Sequence, residues 1–192
     1  DGARPPITSG LRGAQIALDN AKNEGVSFGK YVLEQGFSCV HIIDHSAGAG
    51  FAQSALETIK KQRTSVIVHL TFLDPFVGFD YVGRANYGKG ADWAENYISR
   101  DTLTSSIEHQ YTEGPLENTY NVDVTLLDPN KELSGTFRSS KSGMLEQCFE
   151  TRTSHSWPYK FYTMTIAPNT VNDSQNFGFT LSEETGGLTK AI

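Results

Sequence analysis

The chain has 192 residues, of which 38% are hydrophobic, 20% charged and 11% aromatic, a composition typical of one folded domain and not of a disordered chain. Its 16 basic and 22 acidic residues give a net charge of −6, which disfavours binding to nucleic acid and to anionic membranes. No apolar run approaches the roughly 18 residues of a membrane span, so no transmembrane segment is expected. Cys39 and Cys148 are too few for a disulfide framework, and we expect both to be buried.

The chain begins with a predicted helix followed by a predicted strand. A helical spacing of apolar residues runs from Leu11 to about Leu33, and Gly25 and Gly29 predict two helical pieces or a kink within it. Gly36 is expected to end this helix. The run Cys39–Ile43 is short, apolar and β-branched, which is typical of a strand buried on both faces of a parallel sheet.

A second helix over Phe51–Gln62 and a second strand over Ser65–Leu73 complete a βαβ unit, which implies a parallel sheet and a right-handed crossover. The sequence then predicts an aromatic and glycine-rich loop, two strands and a final helix: Phe76–Gly90, Asp92–Ser99, Tyr120–Leu127 and Trp157–Ile166. Pro158 is expected in the first turn of that helix. This order of elements predicts a single α/β domain over residues 1–192.

The segment Asp44–Gly48 lies between the first predicted strand and the second helix, where the nucleophilic serine of a hydrolase belongs. A serine on such a sharp turn needs small neighbours, and Ala47 and Gly48 meet this demand. The backbone N–H of Ala47, at the positive end of the following helix, is the expected oxyanion-hole donor. Asp44 replaces the first glycine of the usual G-x-S-x-G pattern, so it must find space and hydrogen-bond partners. The alternative is that Ser46 only caps the helix.

Four blocks of sequence resemble the α/β-hydrolase superfamily, most closely its pancreatic-type lipases and bacterial lipase-like serine hydrolases. In family order they are Val40–Gly48, Phe72–Pro75, Ala91–Glu95, and Ser154–His155 with Tyr159–Tyr162; Gly178–Ser182 is a weaker similarity. The resemblance implies a mostly parallel sheet flanked by helices, without the N-terminal strands of the family. It also implies a Ser-His-Asp triad that cleaves carboxylic esters through an acyl-enzyme, and it implies no cofactor.

The resemblance assigns Ser46 as the nucleophile and His155, on a loop before the final helix, as the general base. Asp74, in a Leu-Asp-Pro context, is the preferred triad acid, but it is not the only candidate. Asp101 follows the Asp92–Ser99 strand and occupies the position that most α/β-hydrolases use. Asp123 and Asp128 are further candidates, and for each aspartate the alternative is a solvated loop carboxylate.

The other histidines have simpler interpretations. His41 and His69 lie within predicted strands and are expected to be hydrogen-bonded core residues. His45 is expected to support the serine without transferring protons, and His109 to be exposed. No pair of histidines has metal-ligand spacing on a helix face, so the sequence predicts no metal site.

In hydrolases of this kind a second oxyanion donor follows an earlier strand, which nothing before Leu11 supplies. The Cys39–Ile43 strand would then expose an apolar edge. We therefore expect the C-terminal part of a longer polypeptide, completed by a companion N-terminal fragment. The alternative is a shortened, inactive relative that serves as a binding module.

The expected substrate is a lipid or small-molecule ester. Phe76–Tyr87 is either part of an acyl pocket or lid, or an ordinary surface loop with its aromatic side chains packed onto the sheet. Relatives of this kind are often secreted, which implies an extracellular location.

Overall fold

The computed structural model describes residues 11–100, 109–112, 114–127 and 153–166, in which four strands form one parallel sheet of order β1-β2-β3-β4. The strands are β1 (Cys39–His45), β2 (Ile67–Leu73), β3 (Trp93–Ile98) and β4 (Tyr120–Asp123). The helices are α1 (Leu11–Gln35), α2 (Ala49–Gln62), α3 (Val82–Asn86), α4 (His109–Thr112) and α5 (Thr153–Ile166). The predicted α/β class is confirmed. None of the helices in these ranges has both the length and the hydropathy needed to cross a bilayer.

Helix α1 is one uninterrupted helix, so of the two predicted alternatives the division into two helical pieces at Gly25 and Gly29 is wrong, and the kink stays a prediction. The two glycines lie where α1 packs against α2. A Cβ on Gly25 would lie 2.2 Å from the Phe51 carbonyl oxygen, and one on Gly29 would lie 2.7 Å from the Cβ of Thr58. Because both partners belong to α2, the glycines let the two helices pack at backbone contact, and this outweighs their low helix propensity.

The end of α1 agrees with the prediction. Gly36 has a φ of +73°, in the left-handed region that glycine adopts without a steric penalty. The N–H of Phe37 donates to the carbonyl of Val32 at 3.4 Å, and the N–H of Gly36 donates to that of Leu33 at 3.2 Å. These two bonds satisfy carbonyls at the helix end and turn the chain toward β1.

The sheet separates two clusters of buried side chains. On one face, which we call the α1/α2 face, Val68, Leu70 and Phe72 pack with apolar residues of α1 and α2. On the other, the α5 face, Leu73 and Tyr97 pack with three aromatic residues of α5: Trp157, Phe161 and Tyr162. Successive residues of each strand alternate between these faces.

Strand β1 is half exposed, so the prediction of a strand buried on both faces is wrong. His41 and Ile43 are exposed, whereas Ile42 and Asp44, on the α1/α2 face, are buried. Within the described ranges β1 pairs only with β2, which leaves it at the sheet edge as expected. Cys39, at its start, is exposed and not buried; Cys148 lies outside the described residues.

Two later segments differ in detail from the prediction. The loop after β2 contains the short helix α3, and β4 stops at Asp123 before a 3-10 turn, Thr125–Leu127. The aromatic residues of the loop are partly inside: Phe76 and Tyr87 are buried, and the Tyr87 ring stacks on Phe72 with centroids 5.6 Å apart. These two side chains therefore pack onto the sheet, as the surface-loop alternative expects. Gly178–Ser182 lie outside the described residues.

Candidate active site

Ser46 begins the turn that joins β1 to α2. The turn is a single 3-10 turn, Ser46–Gly48, which runs directly into α2. Ser46 has a φ of +56°, a left-handed conformation that costs a non-glycine residue roughly 1–2 kcal/mol. A Cβ on Gly48 would lie 3.2 Å from the Cβ of Asp44, which explains why the residue two after the serine is glycine. Ser46 thus has the strained backbone expected of a nucleophile at a strand–helix turn.

Asp74 and His155 form a short polar contact at the carboxyl end of β2. The Nδ1–H of His155 donates to Oδ2 of Asp74 over 2.5 Å. Asp74 directly follows β2, is fully buried, and has a φ of +50°. Its own N–H donates to the carbonyl of Tyr97 at 2.8 Å, which ties the carboxyl end of β2 to β3. With Nδ1 committed to the carboxylate, Nε2 is the nitrogen of His155 that can accept a proton.

His155 lies on α5, so the prediction of a loop before the last helix is wrong. The helix begins at Thr153 and not at Trp157, which also places Pro158 inside it and not in its first turn. Proline has no N–H to donate to the carbonyl of residue 154, so the first turn is stabilised from outside the helix. Nε1–H of Trp157 donates to the buried carbonyl of Val124 at 2.9 Å, and His155 bonds to Asp74.

His45 connects His155 to the serine turn. Its Nε2–H donates to the backbone carbonyl of His155 at 2.9 Å, and its ring lies with centroids 4.6 Å from that of His155 and 5.2 Å from that of Tyr159. The pKa of His45 is lowered to about 4, mainly because the ring is buried and secondly because His155 is close to it. His45 is therefore neutral near neutral pH. It directly precedes Ser46, and its hydrogen bond to the His155 carbonyl holds α5 against the end of β1.

A backbone contact completes the arrangement. The N–H of Phe76 donates to the carbonyl of Ser46 at 2.9 Å, so the segment that follows Asp74 is attached to the serine turn. Asp74 and His155 are therefore in contact, and Ser46 follows the neighbouring strand at the same carboxyl edge of the parallel sheet. This edge is where open α/β sheets hold their ligands.

Asp44 is the unusual feature of the turn. Its side chain is buried on the α1/α2 face, and in the described part of the chain neither carboxyl oxygen has a hydrogen-bond partner. Burial raises the pKa of Asp44 well above its ordinary value, which favours the neutral acid. The partners that the sequence led us to expect for this carboxyl are therefore not present among the described residues.

The other candidate acids have different surroundings. Asp123 forms an ion pair with Arg100 at 3.2 Å and accepts the N–H of Thr125 at 3.0 Å. Asp101 and Asp128 lie outside the described residues. Among the aspartates that the structure describes, the one in contact with His155 is Asp74.

Ala47 lies in the 3-10 turn directly before α2, where backbone N–H groups have no acceptor within the helix. Its N–H is the oxyanion donor that the sequence proposes. In the described ranges no strand lies on the outer side of β1 to supply a second donor.

The α5 face contains a polar cluster that was not predicted from the sequence. The Nε2–H of His41 donates to the Thr71 hydroxyl at 2.8 Å, and this hydroxyl donates to Oε1 of Glu95 at 2.7 Å. His69 is buried as expected, but His41 is exposed, so its interpretation as a core residue is wrong. The burial of His109 lies outside what the structure describes. Polar residues at alternate positions of β2, His69 and Thr71, were the available signal for a polar face.

Comparisons of the chain with protein-family models, with curated proteins and with solved structures gave no match. The function is therefore inferred from the geometry around Ser46, Asp74 and His155.

Proposed function

We propose that this protein is a serine hydrolase of the α/β-hydrolase type that cleaves carboxylic esters. One observation carries the proposal: a serine in a strained strand–helix turn lies at the same sheet edge as a histidine bonded to a buried aspartate. Ser46 has a φ of +56°, and His155 Nδ1 is 2.5 Å from Asp74 Oδ2. These are the nucleophile, base and orienting acid of acyl-transfer chemistry, in the chain order Ser-Asp-His of the superfamily.

The proposed reaction proceeds through an acyl-enzyme. Ser46 Oγ attacks the ester carbonyl carbon while His155 Nε2 takes the hydroxyl proton, and Asp74 stabilises the resulting imidazolium. The N–H of Ala47 donates to the oxyanion that forms. The intermediate expels the alcohol, which takes the proton from His155. Water then attacks the acyl carbon, again losing a proton to His155, and the carboxylic acid leaves as Ser46 regains its hydrogen.

The proposed substrate is a lipid or small-molecule ester, and the proposed partner is a companion segment of the same polypeptide. The support for the partner is the edge position of β1, whose exposed residues His41 and Ile43 flank the buried Ile42. A strand paired there would cover this edge and bring the second oxyanion donor close to Ser46. The extracellular location is proposed from the resemblance alone.

A fluorophosphonate tests the nucleophile directly, because only an activated serine displaces its fluoride and forms a bond to phosphorus. We expect intact mass spectrometry to detect one adduct per chain, and none in Ser46→Ala. The matched control is Ser54→Ala, on α2, since the contact of residue 54 with Thr58 uses its backbone carbonyl. Equal labelling of the wild type and Ser46→Ala would exclude Ser46 as the nucleophile.

A specific observation favours a second candidate, a non-catalytic binding module of the same fold. Asp44 places a buried carboxyl without a described partner two residues before the serine, where the usual pattern has glycine. An incomplete oxyanion hole would likewise leave the protein without ester-cleaving activity. This candidate predicts no adduct in a folded wild-type chain and no ester turnover that scales with protein concentration. A stoichiometric adduct excludes it.

A further inference from the structure

A second group of chemically active side chains lies on the α5 face, apart from the residues used above. His41, His69 and Glu95 come from β1, β2 and β3, three adjacent parallel strands. His41 is directly opposite His69 in the strand register, and Glu95 is opposite Thr71, two residues after His69. Parallel register places all of these side chains on one face of the sheet.

The three side chains are already close to metal-binding distances. One nitrogen from each histidine and one oxygen of Glu95 all lie within 4.8 Å of one another. His69 Nε2 is 3.6 Å from Glu95 Oε1. Tetrahedral zinc with bonds of 2.0–2.1 Å holds neighbouring ligands about 3.3 Å apart, so this pair needs almost no movement.

Burial and charge favour a cation at this place. Glu95 and His69 are 0% and 3% exposed. The described polar contacts of Glu95 are the Thr71 hydroxyl at 2.7 Å, the Trp93 indole N–H at 3.5 Å and His69 at 3.6 Å. None of these contacts comes from a lysine or an arginine. Because a buried carboxylate is costly without a counter-charge, a divalent cation would stabilise this one.

The two histidine rings do not have the arrangement that binding one metal ion requires. The His41 and His69 rings are stacked, with centroids 3.8 Å apart and planes 4° from parallel. An imidazole binds a metal through a lone pair in its ring plane, so two stacked rings cannot both direct a nitrogen at one ion. His41 must therefore turn and give up its bond to Thr71. Its side chain is exposed on an edge strand, and the described contacts that the rotation breaks are the bond to Thr71 and the stacking on His69.

We propose that His41, His69 and Glu95 bind one divalent transition-metal ion, with Zn²⁺ as the best fit and a fourth position open to water. Two imidazoles and a carboxylate are a ligand set that zinc accepts, and the coordinating residues are joined to a second layer by Thr71 and Trp93. The ion links the edge strand β1, which leads to Ser46, to both inner strands. The site does not depend on the proposed hydrolase activity.

Isothermal titration calorimetry of the EDTA-treated, dialysed chain with ZnCl₂ tests this site. We expect one saturable equivalent per chain, and a loss of affinity of about 100-fold or more in His41→Gln, since even second-layer changes at zinc sites cost 10–100-fold. The control is Asp19→Asn, which removes an exposed carboxylate of α1 that is not in the cluster, and its affinity should equal that of the wild type. Titration with Co²⁺ should give visible absorption of the intensity typical of four-coordinate cobalt.

His41→Gln decides the result, because His41 is exposed and the variant should fold, whereas His69→Gln and Glu95→Gln alter buried positions. Circular dichroism confirms that each variant is folded. Two results overturn the proposal: no saturable binding up to about 1 mM Zn²⁺, a threshold of weak affinity, or binding that survives His41→Gln but is lost in His155→Gln. The second result would place the ion at the Asp74–His155 pair.

Discussion

The two faces of the sheet use the same strands for different purposes. On the α1/α2 face, β2 contributes Val68, Leu70 and Phe72 to an apolar core that is fully buried. On the α5 face, the same strand contributes His69 and Thr71 to a polar cluster. Leu70 and Thr71 are neighbours in the chain and belong to opposite environments.

The difference follows from the period of two in a β-strand. One set of alternate residues is free to be apolar and supplies burial energy. The other set carries the hydrogen-bonding and ionisable groups His69, Thr71 and Glu95, and nearer the carboxyl edge it carries Leu73 and Tyr97, which pack against α5. Asp44 is an exception, because it is an ionisable group on the α1/α2 face. Three substitutions, at Asp74, Gly25 and Asp44, test this division between the faces.

The largest effect is expected from Asp74→Asn. The amide keeps the shape of the carboxylate but cannot stabilise the imidazolium of His155 or fix its useful tautomer, so ester turnover should fall by about 10⁴-fold. The 2.5 Å bond to His155 is the reason for choosing this residue. The measurement is kcat/KM for a chromogenic ester under conditions where both proteins are folded.

Asp123→Asn is the matched control. Asp123 is a partly exposed aspartate in an ion pair with Arg100, and it has no described contact with His155. Its replacement should leave ester turnover unchanged. If Asp123→Asn were the damaging change and Asp74→Asn were silent, the assignment of the triad acid to Asp74 would be wrong.

The next effect tests the packing of the α1/α2 face. On helix propensity alone, Gly25→Ala should stabilise α1 by about 1 kcal/mol. The new methyl group would lie 2.2 Å from the backbone oxygen of Phe51, which cannot move as a flexible side chain could. We therefore expect a net loss of about 1–3 kcal/mol in the free energy of unfolding, from denaturant titration.

Ser27→Ala provides the comparison within the same helix. Ser27 is exposed, and its replacement should change the free energy of unfolding by less than about 0.5 kcal/mol. A stabilised Gly25→Ala would mean that α1 and α2 are separated enough to admit a methyl group, and the role given to the glycine would be wrong.

Much of the fold could be predicted because its signals are local. The apolar, β-branched run of β1 and Gly36 at the end of α1 identify their elements without any tertiary information. The same local reasoning failed at Gly25 and Gly29. Their contacts are to residues of α2 about 26 to 29 positions away, and helix propensity contains no information about them.

The candidate site shows the same limit. The serine turn is compact in sequence, so Ser46 and Gly48 could be identified together. Proposing Asp74 required a motif resemblance, because Asp74 and His155 are 81 positions apart and the sequence carries no local signal of their contact. The His41, His69 and Glu95 cluster could not be found from linear spacing. It depends on the lateral register of three strands, which places residues 28 positions apart in the chain directly opposite each other.

Asp44 gives the smallest of the expected effects, and its sign depends on pH. Because burial raises the pKa of Asp44 in the folded chain, the folded state binds a proton more tightly than the unfolded state. The stabilisation is complete below the ordinary carboxyl pKa and is lost as pH rises toward the folded pKa, at up to about 1.4 kcal/mol per pH unit. Asp44→Asn removes this titration, but the buried amide also lacks partners, so the net gain at neutral pH should be on the order of 1 kcal/mol.

Denaturant titrations of the wild type and Asp44→Asn at matched pH values measure this effect. The difference in their free energies of unfolding should shift in favour of the variant as pH rises above the ordinary carboxyl range. His45 has the opposite effect: because its pKa in the folded chain is about 4, protonation of the unfolded chain lowers the free energy of unfolding as pH falls below 6.5. Both proteins contain His45, so its effect cancels in the difference between them. Parallel pH profiles would mean that a hydrogen-bond partner or water satisfies the Asp44 carboxyl in solution. The interpretation of Asp44 as a buried acid without a partner would then be wrong.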